Sequence, residues 1–168
     1  AFRISENMND ENAILIGLSF GGMLSVEISK IKRFKKIFLL SSAKTKSEIP
    51  FYYKVLGKLN LLEIIPVSFL KSVNFLTYLV FGAKTNSEKN LLKDIVKNTE
   101  SSFMKWALHQ IINWKNKDFD ANIVHIQGNR DLILPHYFVK FDYLIDGGTH
   151  FMTLNQSKKI EQIILDNL

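Results

Sequence analysis

A chain of 168 residues, 46% of them apolar, is long enough for one domain with a sizeable core. Its net charge of +6 is spread thinly. Residues 51–118 hold ten lysines against five acidic residues and no arginine, a dispersed pattern that suits solvated helix faces and argues against a nucleic-acid surface. The absence of cysteine excludes a disulfide framework and a thiolate metal site, and the longest apolar stretch, Ile64 to Phe81, is broken by Pro66, Lys71 and Asn74 before it could span a membrane.

Residues 1–11 read as the tail of a helix and its loop. A start without Met, running straight into helix, suggests a piece of a longer chain; with no leader visible, a cytoplasmic location is the expectation. Ile14 to Leu18 is a short apolar run with the length of a buried strand. Helical texture follows over 20–31 and ends in Lys30, Lys32 and Arg33, where cations suit the helix dipole. Lys36 to Ser41 is a second strand, so the first forty residues form a parallel strand–helix–strand unit. After a polar loop from Ser41 to Pro50, strand alternation disappears. Short helices are expected on either side of Pro66, and Thr85-Asn-Ser-Glu88 has the form of a capping box. Two amphipathic helices follow, one carrying Leu91, Leu92, Ile95 and Val96, the next Phe103, Met104, Ala107, Leu108, Ile111 and Ile112. Strands return at Asn122–Gln127 and Phe141–Ile145. Thr153 to Leu168 closes the chain as a helix, with Leu154, Ile160, Ile163, Ile164 and Leu168 as its inward face. The fold class is therefore α/β, a mostly parallel sheet flanked by helices. Residues 1–50 and 118–168 form the core, and 51–117 a helical insertion.

Between the first strand and its helix lies Gly17-Leu18-Ser19-Phe20-Gly21, a Gly-x-Ser-x-Gly at a strand-to-helix turn. Glycines at 17 and 21 let the turn close where a side chain would collide with the neighbouring chain. The string lacks the Lys of a phosphate-binding loop and the spacing of a dinucleotide fingerprint. A serine hydroxyl needs a base, and the base needs a carboxylate to hold its tautomer. Asp131, in Gly128-x-x-Asp131-x-x-x-Pro135, and His150, in Gly147-Gly-Thr-His150, each lie in a loop after a strand. In a parallel sheet such loops emerge on the same edge as the serine turn.

These motifs together resemble the α/β-hydrolase fold family. Gly-Leu-Ser-Phe-Gly-Gly matches the nucleophile elbow, His-Ile-Gln-Gly-Asn-Arg-Asp-Leu-Ile-Leu-Pro the acid loop, and Gly-Gly-Thr-His-Phe the histidine loop. The resemblance runs from the elbow strand to the C-terminal helix and makes 51–117 a cap. It implies Ser19 as nucleophile, Asp131 as triad acid, His150 as general base and the Phe20 backbone N–H as an oxyanion donor. It also implies earlier strands, with a loop supplying a second oxyanion donor; nothing in this sequence corresponds to them, which is expected to leave the elbow strand at the edge of the sheet. A serine rather than an aspartate at the elbow separates the chain from dehalogenase and epoxide-hydrolase relatives. The expected activity is hydrolysis of an ester-type bond in a small apolar acyl substrate, with no cofactor and no metal; the alternative is a non-catalytic module binding a small ligand under its cap. Neither reading indicates an oligomeric state.

Other notable residues read as structural or exposed. His125 sits mid-strand, His109 lies on an amphipathic helix and His136 follows a proline; no metal-ligand spacing joins them. Trp106 and Trp114 read as packing. Asp142 and Asp146 are possible substitutes for Asp131 but sit less well, and Ser25, Ser41 and Ser42 lack the glycine context.

Overall fold

The computed structural model describes residues 1–8, 10–59, 65–120 and 122–168. A four-stranded, all-parallel sheet runs in the order β1 (Ile14–Leu18), β2 (Lys36–Leu40), β3 (Ile123–Gly128), β4 (Tyr143–Ile145). A short α1 (Phe2–Ser5) precedes β1, and α2 (Phe20–Ser29) crosses from β1 to β2. After β2 the chain leaves the sheet for α3 (Phe51–Lys58), α4 (Val67–Leu70), α5 (Phe75–Phe81), α6 (Asn86–Asn98) and α7 (Ser101–Ile112) before returning as β3. Part of the stretch expected to be helical around Pro66, residues 60–64, lies outside the described residues.

Period-2 alternation divides the strands between two apolar layers. Phe38 and Leu40 of β2 join Val124 and Ile126 of β3, Ile145, Met152 and Ile160 on one face. Ile37, Leu39 and Ile123 face the other way, against Val26 and Ile28 of α2 and Phe34. Each such side chain, taken from water to full burial, contributes about 1.5–3 kcal/mol. A third cluster, Met23, Ala43, Ile49, Leu134 and Val139, joins α2 to the loops after β2 and β3. A fourth, Ala83, Leu92 and Val96, is packed by Phe151, which ties the helical insertion to the histidine loop.

Three expectations need correction. The run Ile14–Leu18 has the texture of a buried strand, but β1 stands at the sheet edge, as the resemblance implies, and there Ile14, Ile16 and Leu18 stay 40–51% exposed. The C-terminal helix is two, α8 (Met152–Asn155) and α9 (Ser157–Asp166), with Gln156 between them at φ −125°. Ile160 is buried, but Leu154 and Leu168 are exposed: the break turns Leu154 off the face set by α9, and Leu168 lies past its end. In α7 only Ala107 is buried, and Phe103 stays half exposed. The capping box forms as written: the Thr85 hydroxyl accepts from the Glu88 N–H, and the Glu88 carboxylate accepts from Thr85 N–H and Lys84 N–H. Burial opposes ionisation of Glu88, but these hydrogen bonds, with one from Asn155, carry its pKa below the usual value.

Candidate active site

The loops after β1, β3 and β4 meet at the carboxyl edge of the sheet. Ser19 sits at φ 51°, ψ −121°, a conformation costly for a side-chain-bearing residue and held by its surroundings. Its N–H donates to the Leu40 carbonyl at 2.9 Å, and its carbonyl accepts from the Ser42 hydroxyl at 2.7 Å. The turn is thus pinned to the end of β2. A Cβ on Gly17 would lie 2.5 Å from Gly22 Cα, and one on Gly22 would strike Ser42 at 2.4 Å. At Gly21, however, a Cβ meets nothing within 4 Å. The crowding expected at 17 and 21 therefore falls at 17 and 22, because the helix turns residue 22, not 21, toward β2.

Ser19 Oγ lies 2.9 Å from His150 Nε2, and His150 Nδ1 lies 2.8 Å from Asp131 Oδ2. His150 and Asp131 are both buried. Asp131 is held from three further directions: its Oδ1 accepts the Ile133 and Leu134 N–H groups at 2.9 Å each, and its Oδ2 accepts from Gln127 Nε2 at 3.3 Å. That leaves His150 Nδ1 as the protonated nitrogen and Nε2 free to accept the Ser19 proton. The N–H of Phe20, first residue of α2, is one of the donors that a helix start leaves unpaired. The acid and histidine loops also hold each other, the Arg130 N–H donating to the Gly148 carbonyl at 2.8 Å.

Beside Ser19 and His150 is a cavity of about 50 Å³ walled by Phe20, Met23, Ala43, Ile49, Pro50 and Leu134. Tyr53 closes one side, its hydroxyl donating to the Ile133 carbonyl at 3.0 Å. Burial, reinforced by Tyr52 and Asp131, pushes the Tyr53 phenol up to about 12, so it remains a neutral donor. Phe81 of α5 sets its ring edge-on to His150, centroids 5.8 Å apart, and Trp106 of α7 does the same to Phe20 at 5.7 Å.

No family model and no curated protein sequence matches the chain. Solved structures do. A bromoperoxidase from Bacillus anthracis superposes with a TM-score of 0.64 at 16% identity, covering 99% of this chain and 70% of its own. A thermophilic esterase from Thermogutta terrifontis gives 0.59 at 13%, covering 92% and 64%. An epoxide hydrolase from Bacillus megaterium gives 0.58 at 8%, covering 98% and 72%. This is the α/β-hydrolase fold.

Within the α/β-hydrolase fold, the three loops bring together Ser19, Asp131 and His150. The two alternative carboxylates stay away from them: Asp142 accepts the His125 N–H at 2.7 Å, and Asp146 accepts from the Asn129 side chain at 2.8 Å. His125 is fully buried, and burial, with Lys44 adding to it, lowers its pKa to about 4. His109 is exposed and His136 half-buried, and no group of metal-ligating side chains occurs among the described residues. Trp114 donates its indole N–H to Glu27 at 2.7 Å and packs against α2. Sequence reasoning missed Gln127, Ser42 and Phe81. Gln127 carries a signal: with His125 it is one of two polar side chains in the strand Ile123–Gly128, two residues on and so on the same strand face. No comparable pattern marks Ser42 or Phe81, whose places depend on contacts across the fold.

Proposed function

We propose that this protein is a serine hydrolase that cleaves esters of short, apolar acyl groups through an acyl-enzyme. The observation that carries the reading is the unbroken chain from Ser19 Oγ through His150 to the buried Asp131, at 2.9 and 2.8 Å, opening beside an apolar cavity. His150 Nε2 takes the Ser19 proton as Oγ attacks the ester carbonyl. The carbonyl oxygen becomes an oxyanion facing the Phe20 N–H, with the positive end of α2 behind it. Asp131 stabilises the imidazolium formed. The imidazolium then protonates the leaving alcohol as the C–O bond breaks. A water deprotonated by His150 attacks the acyl-enzyme, and the carboxylic acid leaves as Oγ regains its proton.

Cavity size supports the acyl class. At about 10–15 Å³ for each water-sized occupant, 50 Å³ suits an acyl chain of roughly three to five carbons. The helices at 51–117, with Phe81 against His150 and Tyr53 on the cavity wall, act as the cap that screens the site from water. The test is covalent labelling with a fluorophosphonate, read by intact mass and peptide mapping, alongside Ser19→Ala and His150→Ala. Labelling at Ser19 that vanishes in the first variant and slows strongly in the second is the expected outcome. A folded protein that takes no label refutes the hydrolase reading and leaves a non-catalytic module that binds a small ligand under the cap.

A further inference from the structure

A second cavity, of about 450 Å³, lies on the far side of the acid and histidine loops. It shares no wall residue with the cavity at Ser19. Arg130 and Leu132 flank Asp131 in sequence and Thr149 precedes His150, so the loops that carry the acid and the base form its inner wall. Helix α5 forms the outer wall. Its volume falls within the usual range of small-molecule sites, about 300–1,000 Å³.

The lining combines two features. Phe75, Leu79 and Leu132 border it while remaining 81%, 51% and 51% exposed. Large apolar side chains left in water around one concavity mark a surface that something covers. Three cations, Lys84, Lys89 and Arg130, line the same cavity, and among the described residues no acidic one does. The ion pairs among the described residues are Lys30–Glu27 and His150–Asp131, so none of the three cations is neutralised by one. The neighbouring carboxylates make their hydrogen bonds elsewhere, Asp131 with His150 and with the Ile133 and Leu134 N–H groups. Glu88 accepts from the Lys84 and Thr85 N–H groups and from Asn155, and Asp146 accepts from Asn129. Lys89 holds its ammonium 5.7 Å from the centre of the Tyr78 ring, another wall residue, which places that charge at the cavity.

We infer that this cavity binds a small anionic amphiphile, a free molecule with one acidic head, such as a carboxylate or phosphate monoester, and a single apolar tail. The tail lies along Phe75, Leu79 and Leu132, and the head meets Lys84, Lys89 and Arg130. A neutral apolar ligand would leave the cations without a counter-charge, and a small inorganic anion would leave the apolar wall in water; one occupant satisfies both. The site stands independently of the reaction proposed for Ser19.

The test is calorimetric titration with octanoate and, as the neutral counterpart, octan-1-ol. The expected result is one octanoate per chain, with octanol at least about tenfold weaker, since each exposed charge contact is individually modest and three act together. Lys84→Gln combined with Arg130→Gln weakens octanoate about tenfold and leaves octanol unchanged. Leu79→Glu, which removes an apolar wall contact and places a negative charge there, weakens both ligands, octanoate more than octanol. Lys93→Gln, outside the cavity, changes nothing. Equal binding of octanoate and octanol, wild-type octanoate affinity in the double variant, or no binding of octanoate overturns the inference. So does failure to bind octanoate together with sedimentation on anionic phospholipid vesicles, which would make the patch a membrane-facing surface.

Discussion

His125 makes the stability of this fold depend on pH in a way that can be calculated. Its ring is fully buried in β3. Nδ1 is 3.0 Å from the Lys140 carbonyl and therefore carries the proton, while Nε2 has no hydrogen-bond partner among the described residues. Burial penalises the charged ring, with Lys44 adding to the cost; the Lys140 carbonyl and the attraction of Asp142 offset only part of it, and the folded-state pKa falls from 6.5 to about 4. Between these two values the unfolded chain binds a proton that the folded chain refuses. The stabilisation from keeping His125 neutral is complete above pH 6.5 and is lost as pH falls toward 4. Across two pH units, from 7 to 5, the linkage relation gives a loss of about 2 kcal/mol. Urea unfolding at both pH values, for the protein and for His125→Asn, isolates this contribution, because every other titrating group is shared and cancels in the difference. The stability of the wild type relative to the variant should drop by about 2 kcal/mol on going from pH 7 to 5. A pH-independent difference would refute the reasoning and mean that folded His125 accepts a proton as readily as the free side chain.

Further outcomes follow from the site geometry. Asp131→Asn keeps an oxygen for the Ile133 and Leu134 N–H groups but turns an amide donor toward His150; the imidazole then carries its proton on Nε2, and kcat/KM for p-nitrophenyl acetate should fall by about 10⁴. Gln127→Met removes one support of Asp131 and leaves the Leu134 carbonyl, now bonded at 2.7 Å, without a partner. It should cost about 1–3 kcal/mol in urea unfolding and lower kcat more than it raises KM, whereas a purely structural role for Gln127 would leave kcat of the folded fraction unchanged. Gly17→Ala drives a methyl into the Gly22 backbone at 2.5 Å and should abolish fluorophosphonate labelling, while Gly21→Ala, with open space at that position, should label at the wild-type rate and gain up to about 1 kcal/mol from helix propensity. Peptide mapping and thermal melts of the two variants side by side test the contrast, and equal loss of labelling in both would refute the steric assignment.

Much of the fold is written in local pattern. The alternation from Lys36 to Leu40 assigns its residues to two layers whatever surrounds it, and the Thr85–Glu88 capping box closes within four residues, so sequence alone determines both. The glycine context of Ser19 and the positions of Asp131 and His150 after strands are likewise local, and parallel-sheet geometry turns them into one place. Tertiary structure decided the rest. An apolar run such as Ile14–Leu18 reads the same in the middle of a sheet or at its edge, because burial depends on what packs alongside. Gly17 and Gly21 look equivalent around Ser19, yet only the path of α2 against β2 makes residue 22 the crowded one. Gln127 could be recognised as a polar residue in an apolar strand, but its hold on Asp131 required the loop to fold back over β3. Side chains brought together by crossing loops, among them Phe81 on His150 and Ser42 on Ser19, leave no periodic trace, since their spacing in sequence is unrelated to their distance in space.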